Sequence, residues 1–227
     1  MQKKALILLS GGLDSTTVLA VACSEGYECH CISFVYGQRH ALEIDFARKI
    51  AKLYDVKSHV VANADLSIFS GSSLTSDMQV PKHDDLSHLH DGVVPSTYVP
   101  GRNTIFLSYA FAYAESMDIN NIFIGCNAID YSNYPDCRPE YIEAFELLMN
   151  RARARVSDDI KIHAPLLHLA KSEIIILGNR LGVDYSLTSS CYSPNAEGVP
   201  CGCCDACLLR KGGFADAGMS DPLEYMK

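Results

Sequence analysis

The chain has 227 residues, 48% of them hydrophobic and 20% charged, the balance of a soluble globular protein able to bury a full core without staples. Its net charge of −8 disfavours a broad nucleic-acid surface, which needs clustered Lys and Arg, and no apolar run reaches membrane-spanning length. A signal peptide cut from the N-terminus would take with it the loop at residues 10–15, so the expectation is a cytoplasmic protein whose ten cysteines serve metal binding or packing rather than disulfides.

The first apolar run, Ala5-Leu6-Ile7-Leu8-Leu9, predicts a buried strand. Ser10-Gly11-Gly12-Leu13-Asp14-Ser15 follows as a tight turn, and residues 15–22 continue as a helix. A strand, a Gly-Gly turn and a helix N-terminus form an anion site, because unpaired N–H groups and the helix dipole both face the turn. It is not a Walker A loop, since no lysine lies between Lys4 and Lys49. The S-G-G-x-D-S form resembles the pyrophosphate loop of the ATP pyrophosphatases. That resemblance implies that it holds the β- and γ-phosphates of ATP while a substrate oxygen attacks the α-phosphate.

Further strands are predicted at 29–35, 56–61, 119–125 and 160–164, and helices at 41–53, 101–117, 140–151 and 171–181, the last ended by Gly182. Alternating strands and helices give an α/β fold, a Rossmann-like, mostly parallel sheet with helices on both faces and a binding crevice at the carboxyl ends of its strands. Residues 1–187 would be this domain and residues 188–227 a C-terminal metal-binding segment. Residues 63–100 break the rhythm and are read as a partly mobile lid or a dimer contact. His83, His88 and His90 lie there near Asp84, Asp85 and Asp91, as solvated polar residues or as a second metal site.

Cys191, Cys201, Cys204 and Cys207 are separated by nine, two and two residues. Four thiolates at this spacing suit a closed tetrahedral zinc site, structural rather than catalytic because no position stays open. An iron–sulfur cluster also uses the two-residue spacings, although its usual downstream Cys-Pro is missing. Cys203 falls between two proposed ligands. The segment itself looks short and polar, so metal binding would supply its folding energy.

Four further stretches carry a more specific resemblance: Ser33-Phe34-Val35-Tyr36-Gly37-Gln38-Arg39-His40, Val99-Pro100-Gly101-Arg102-Asn103-Thr104, Asp130-Tyr131-Ser132-Asn133-Tyr134-Pro135-Asp136-Cys137-Arg138, and the cysteine knot ending in Leu208-Leu209-Arg210. Together with the loop they resemble the 7-cyano-7-deazaguanine synthase family of queuosine biosynthesis. The resemblance implies an adenine nucleotide alpha hydrolase-like fold, a homodimer, and ATP-dependent conversion of 7-carboxy-7-deazaguanine and ammonia to the nitrile through an acyl-adenylate and an amide. It implies small-molecule substrates, with no nucleic-acid or membrane partner.

Within that frame, Leu9, Ser10, Gly11, Gly12, Leu13, Asp14, Ser15 and Thr16 are expected to form the pyrophosphate site, with Asp14 on Mg²⁺. Phe34 and Val35 would offer an apolar wall and backbone groups to adenine, and Arg39 with His40 would meet phosphate or the lid. Arg102 and Lys171 are cations for phosphate or carboxylate and join Asp14 and Ser15 as catalytic candidates. Asp130 or Asp136 would accept from the N1–H and amine of the deazaguanine, Tyr131 or Tyr134 would stack on its ring, and Arg138 would bind its 7-carboxylate. Competing readings are an enzyme of the same fold that adenylates a tRNA base or a protein carboxylate, one that stops at the amide, and a non-enzymatic zinc module.

Overall fold

The computed structural model describes residues 2–38, 42–87, 94–129, 134–154 and 158–227. Its five strands, β1 (Lys4–Leu8), β2 (Glu28–Val35), β3 (Ser58–Asn63), β4 (Asn121–Phe123) and β5 (Lys161–His163), form one parallel sheet in the order β3-β2-β1-β4-β5. Six α-helices are assigned among the described residues: α1 (Leu13–Ser24), α2 (Leu42–Leu53), α3 (Arg102–Ser116), α4 (Pro139–Ala152), α5 (Lys171–Arg180) and α6 (Asp205–Asp216). None is long and apolar enough to cross a membrane.

A parallel strand covered on both faces must be apolar on both, and β1 shows why its sequence runs without alternation. Leu6 and Leu8 join one core with Leu107 and Phe111 of α3 and Phe145 of α4. Ala5 and Ile7 join the other with Val18 and Leu19 of α1, Ile50 of α2 and Ile174 of α5. Helix α1 is buried along most of its length, from Leu13 and Ser15 to Ala22, which explains its lack of a polar stripe. Helix α5 ends as Gly182 predicts. Gly182 sits at φ +76°, and the N–H groups of Gly182 and Val183 donate to the carbonyls of Asn179 and Gly178.

The strand order reverses between β1 and β4, so the connections after these two strands diverge to opposite sides of the sheet. The carboxyl ends of β1 and β4 therefore flank the natural crevice of an open α/β sheet. Residues 10–15 leave β1 there, and residues 124–127 leave β4.

One stretch differs from expectation. The C-terminal segment is not poor in buried surface, since α6 packs on α5 and buries Phe214 to 2% exposure. The described part of residues 63–100, expected as a partly mobile lid or a dimer contact, is packed on the rest of the chain. Leu66, Leu74, Val80 and Val99 enter the core beneath α3, and the Ser73 N–H donates to the Ser96 carbonyl. The N–H of His83 donates to the Cys203 carbonyl, tying this stretch to the cysteine segment. His88, His90 and Asp91 lie outside the described residues.

Candidate active site

The loop after β1 is held from three directions. Gly11 adopts φ +83°, and a Cβ there would lie 2.7 Å from both the Ala47 nitrogen and the Glu43 carbonyl oxygen, so only glycine lets the loop rest on α2. Inside the loop, Ser10 and Ser15 share a hydroxyl contact of 3.0 Å, and the N–H groups of Ser10 and Gly12 donate to the Ser15 and Ser10 hydroxyls. From the far end of the chain, the Ser189 N–H donates to the Gly11 carbonyl and the Ser190 hydroxyl accepts from the Leu13 N–H at 3.2 Å. The N-terminus of α1 thus opens on the crevice with its first amides grouped around a preformed turn.

Ser10, Gly12, Leu13, Asp14 and Ser15 line a cavity of about 240 Å³. Leu9 and Thr16 shape it from behind. Leu9 is 1% exposed in the core, and the Thr16 hydroxyl donates to the Gly12 carbonyl at 2.8 Å instead of facing the cavity. Gly125, after β4, passes so close to α1 that a Cβ would sit 3.2 Å from the Ser15 nitrogen.

Three cations line this cavity, Lys171, Arg102 and Arg210, the last of them engaged with Asp221. The Nζ of Lys171 donates to both carboxylate oxygens of Asp14, at 2.7 and 2.9 Å. Gly213 of α6 makes this possible, because a Cβ there would lie 2.4 Å from the Lys171 Cγ. Glu173, adjacent in sequence, does something else: its carboxylate accepts from the Ala170 N–H and caps α5. Arg102 lines the opposite wall at the start of α3. Burial works against its charge, but Tyr36, Tyr192, Tyr134 and Cys137 around it outweigh that and hold the guanidinium more firmly protonated than usual. Glu43 shares this wall. Burial pushes its carboxyl up to about 7, with Arg102 pulling it the other way.

The residues expected to meet adenine are placed differently. Neither Phe34 nor Val35 lines the cavity; Phe34 stacks at 4.1 Å behind Phe106, which does. Their carbonyls are occupied, Val35 accepting from the Ala64 N–H and Phe34 from the Gln38 side chain. The proposed recognition loop also reads differently. Asp136 is buried outside the cavity lining, where its carboxylate accepts from the Asn103 N–H at 3.0 Å and caps α3. Arg138 is exposed at the start of α4 and does not reach the cavity. Tyr134 does line it, with its hydroxyl 2.9 Å from that of Thr97. Arg39, His40, Asp130 and Tyr131 lie outside the described residues.

Sequence reasoning passed over Glu43, Tyr36, Ser189, Ser190 and Tyr192, all of which line the cavity. Glu43 reads in sequence as an ordinary acid in the first turn of a helix, and the serines as a loop. Only the tertiary crossing of residues 189–190 over the phosphate loop reveals them.

Beside this crevice lies the cysteine cluster. The sulfurs of Cys191, Cys201, Cys204 and Cys207 all lie within 4.8 Å of one another, and all four residues are buried. Among the described residues no other group of His, Cys, Asp and Glu is so placed. The N–H groups of Ser193 and Cys201 point at the Cys191 sulfur, and that of Cys204 at the Cys201 sulfur. Such donors stabilise thiolates, so the set can hold a metal ion. Cys203 stands outside it, half-buried. The cluster fixes the start of α6, whose Arg210 is 2% exposed and grips Asp221, the Thr188 hydroxyl and the Tyr185 carbonyl.

Comparison with known proteins matches this arrangement to one family. The protein from Kineococcus radiotolerans named 7-cyano-7-deazaguanine synthase is 56% identical over 99% of both chains. Its namesake from Syntrophotalea carbinolica is 53% identical over 100% of this chain and 98% of its own. Among solved structures, a predicted tRNA methyltransferase subunit from Methanocaldococcus jannaschii superposes with a TM-score of 0.50 at 17% identity, covering 78% of this chain and 75% of its own, a likeness of fold alone. Residues 4–218 match the family described as "Queuosine biosynthesis protein QueC", and the chain belongs to that family, with a parallel α/β sheet and a four-cysteine cluster that could hold a metal ion.

Proposed function

We propose that the chain is an ATP-dependent, carbon–nitrogen bond-forming ligase that converts 7-carboxy-7-deazaguanine and ammonia to 7-cyano-7-deazaguanine. The observation that carries the reading is one cavity lined by Lys171 at the phosphate loop and by Arg102, while the third lining cation, Arg210, is held by Asp221. A pyrophosphate leaving group and a substrate carboxylate each need such a partner. The loop amides and the Ser10 and Ser15 hydroxyls hold the terminal phosphates of ATP. Arg102 orients the 7-carboxylate so that its oxygen attacks the α-phosphate, and Lys171 stabilises the charge that gathers on pyrophosphate.

Ammonia then displaces AMP to give the amide. A second ATP activates the amide oxygen, and loss of AMP leaves the nitrile. Burial of the cavity between the loop, α3 and residues 189–192 keeps water from the adenylated intermediates. In this reading the carboxylate role expected of Arg138 passes to Arg102, while Asp130 and Tyr131 keep the heterocycle edge and ring.

Mg²⁺ would be held by Asp14, the loop carboxylate that reaches the cavity, and would screen the phosphates when bound. With the metal on Asp14, the Lys171 ammonium, now paired with Asp14, would be available to phosphate. Zinc is the metal assigned to Cys191, Cys201, Cys204 and Cys207. Cys201 and Cys207 have sulfurs 4.0 Å apart, as do Cys191 and Cys204, and a tetrahedron with Zn–S bonds of about 2.3 Å spaces its sulfurs by roughly 3.8 Å. We place the enzyme in the cytoplasm as a homodimer, its C-terminal segment from near residue 188 packed on the main part of the chain; the free cysteines support the compartment and the exposed Leu147 and Leu148 on α4 the dimer.

The test is to incubate the protein with ATP, magnesium, ammonium and the carboxylate. Production of AMP, pyrophosphate and a product of nitrile mass is expected. A product that stays at the mass of the amide would support the narrower reading.

A further inference from the structure

Behind the main cavity lies a second, smaller chamber of about 20 Å³, lined by Gln38, Phe46, Leu74, Cys191 and Pro194 among others. That is room for about one water-sized molecule. Tyr36, Glu43, Ser189 and Tyr192 line both spaces and form the wall between them. Three aromatic residues, Tyr36, Phe46 and Tyr192, and one acid, Glu43, line the chamber, and the Lys49 ammonium lies 5.5 Å from the centre of the Phe46 ring. No Lys or Arg among the described residues lines it; Arg102 faces only the larger cavity.

We propose that this chamber binds ammonium and that the Glu43 carboxylate takes its proton at the wall shared with the main cavity. The inference rests on the reaction proposed above. A small cation fits a space of this size, lined by aromatic residues and one acid. Ammonium has no lone pair and cannot attack a carbonyl, and near neutral pH very little of the pool is free ammonia. A base beside the reacting carbon solves this. Burial has moved the Glu43 carboxyl to about 7, poised to hold or release a proton near neutrality.

The step balances. An N–H bond of ammonium breaks, its electron pair stays on nitrogen, and the proton passes to a Glu43 oxygen. The freed pair attacks the acyl carbon, the C–N bond forms, and the C–O bond to AMP breaks with its electrons leaving on AMP. The adduct nitrogen sheds its extra proton to solvent, and Glu43 releases the proton it took to solvent as well.

The experiment compares two nucleophiles in wild type and Glu43→Gln. Hydroxylamine is largely uncharged near neutral pH, so it attacks an acyl-adenylate without help from a base and yields a hydroxamate. For Glu43→Gln, the loss in kcat/KM with ammonium should exceed the loss with hydroxylamine by about 10²-fold, and should shrink as rising pH supplies free ammonia. Leu74→Phe, which fills the chamber without touching the carboxylate, should raise the KM for ammonium and leave that for ATP alone. Equal losses with both nucleophiles in Glu43→Gln, or an unchanged ammonium KM in Leu74→Phe, would overturn the site. Wild-type protein that forms neither nitrile nor hydroxamate would instead overturn the proposed reaction, and this inference with it.

Discussion

Lys171 and Asp14 stand 157 residues apart, yet the lysine ammonium sits 2.7 and 2.9 Å from the two oxygens of the aspartate in the phosphate loop. The pair joins the start of α5 to the start of α1. Its side chains are 10% and 29% exposed, so it is close enough to solvent to open when a ligand arrives. Replacing either residue should therefore cost chemistry more than stability. Lys171→Met and Asp14→Asn should each lower AMP formation about 10²-fold or more, with little change in thermal midpoint. AMP formation at wild-type rates in either variant would remove the residue from the phosphate site.

The position of that lysine depends on a missing side chain. Gly213→Ala places a methyl group 2.4 Å from the Lys171 Cγ, and the lysine or α6 must shift. The expected result is a destabilisation of about 1–3 kcal/mol together with slower AMP formation. A variant that is destabilised but fully active would show that the lysine is not held in place by this contact.

Arg102 and Arg138 can be separated directly. Arg138 is exposed and stands clear of the cavity, whereas Arg102 lines it. Arg102→Ala should raise the KM for the carboxylate and slow the first adenylation, with a smaller effect when the amide is supplied. Arg138→Ala should change stability by no more than about 0.5 kcal/mol and leave both half-reactions near wild type. The reverse order of effects would restore the carboxylate role to Arg138.

The cysteines give a metal prediction. Purified protein should contain about one zinc per chain and show no iron chromophore. Cys204→Ser should lose metal and thermal stability; Cys203→Ser should lose little of either. Emptying of the site by Cys203→Ser alone would contradict the ligand set.

A pH dependence follows from Arg210 and Asp221. Burial pushes the Asp221 carboxyl up, but hydrogen bonds from Arg210 and Tyr225 outweigh it and hold the group below its ordinary value. A carboxyl depressed in the folded state contributes stability that is complete above its unfolded value and is lost as pH falls through the folded one. Acid titration of stability should thus show a loss below the usual carboxylate range that is absent in Asp221→Asn. Because Arg210 is buried, removing its partner leaves an unpaired charge, and Asp221→Asn should be less stable at neutral pH by about 3 kcal/mol.

Much of this architecture could be read from the chain. Strand β1 and the glycine loop announce themselves because a doubly covered strand must be apolar throughout and the turn after it needs φ +83° at Gly11. Helix α6 did not, because its buried residues include Arg210 and Gly213 as well as Ala206 and Phe214, and a charged residue and a glycine do not register as an apolar stripe. The grouping of Cys191, Cys201, Cys204 and Cys207 was legible from spacing alone. Asp136 and Arg138 misled because a loop that follows a strand need not turn its side chains into the crevice: one caps a helix, the other faces solvent. Glu43 carried no local signal, since its surroundings come from α3 and residues 189–192.

The central claim is that a carboxylate oxygen of the substrate attacks the α-phosphate of ATP in this cavity. Mass spectrometry of AMP after turnover with 7-carboxy-7-deazaguanine labelled with heavy oxygen in its carboxylate tests it most directly. Attack as described transfers the label to AMP, first as the amide forms and again as the nitrile forms. AMP free of label, with the heavy oxygen recovered in inorganic phosphate or water, would contradict it.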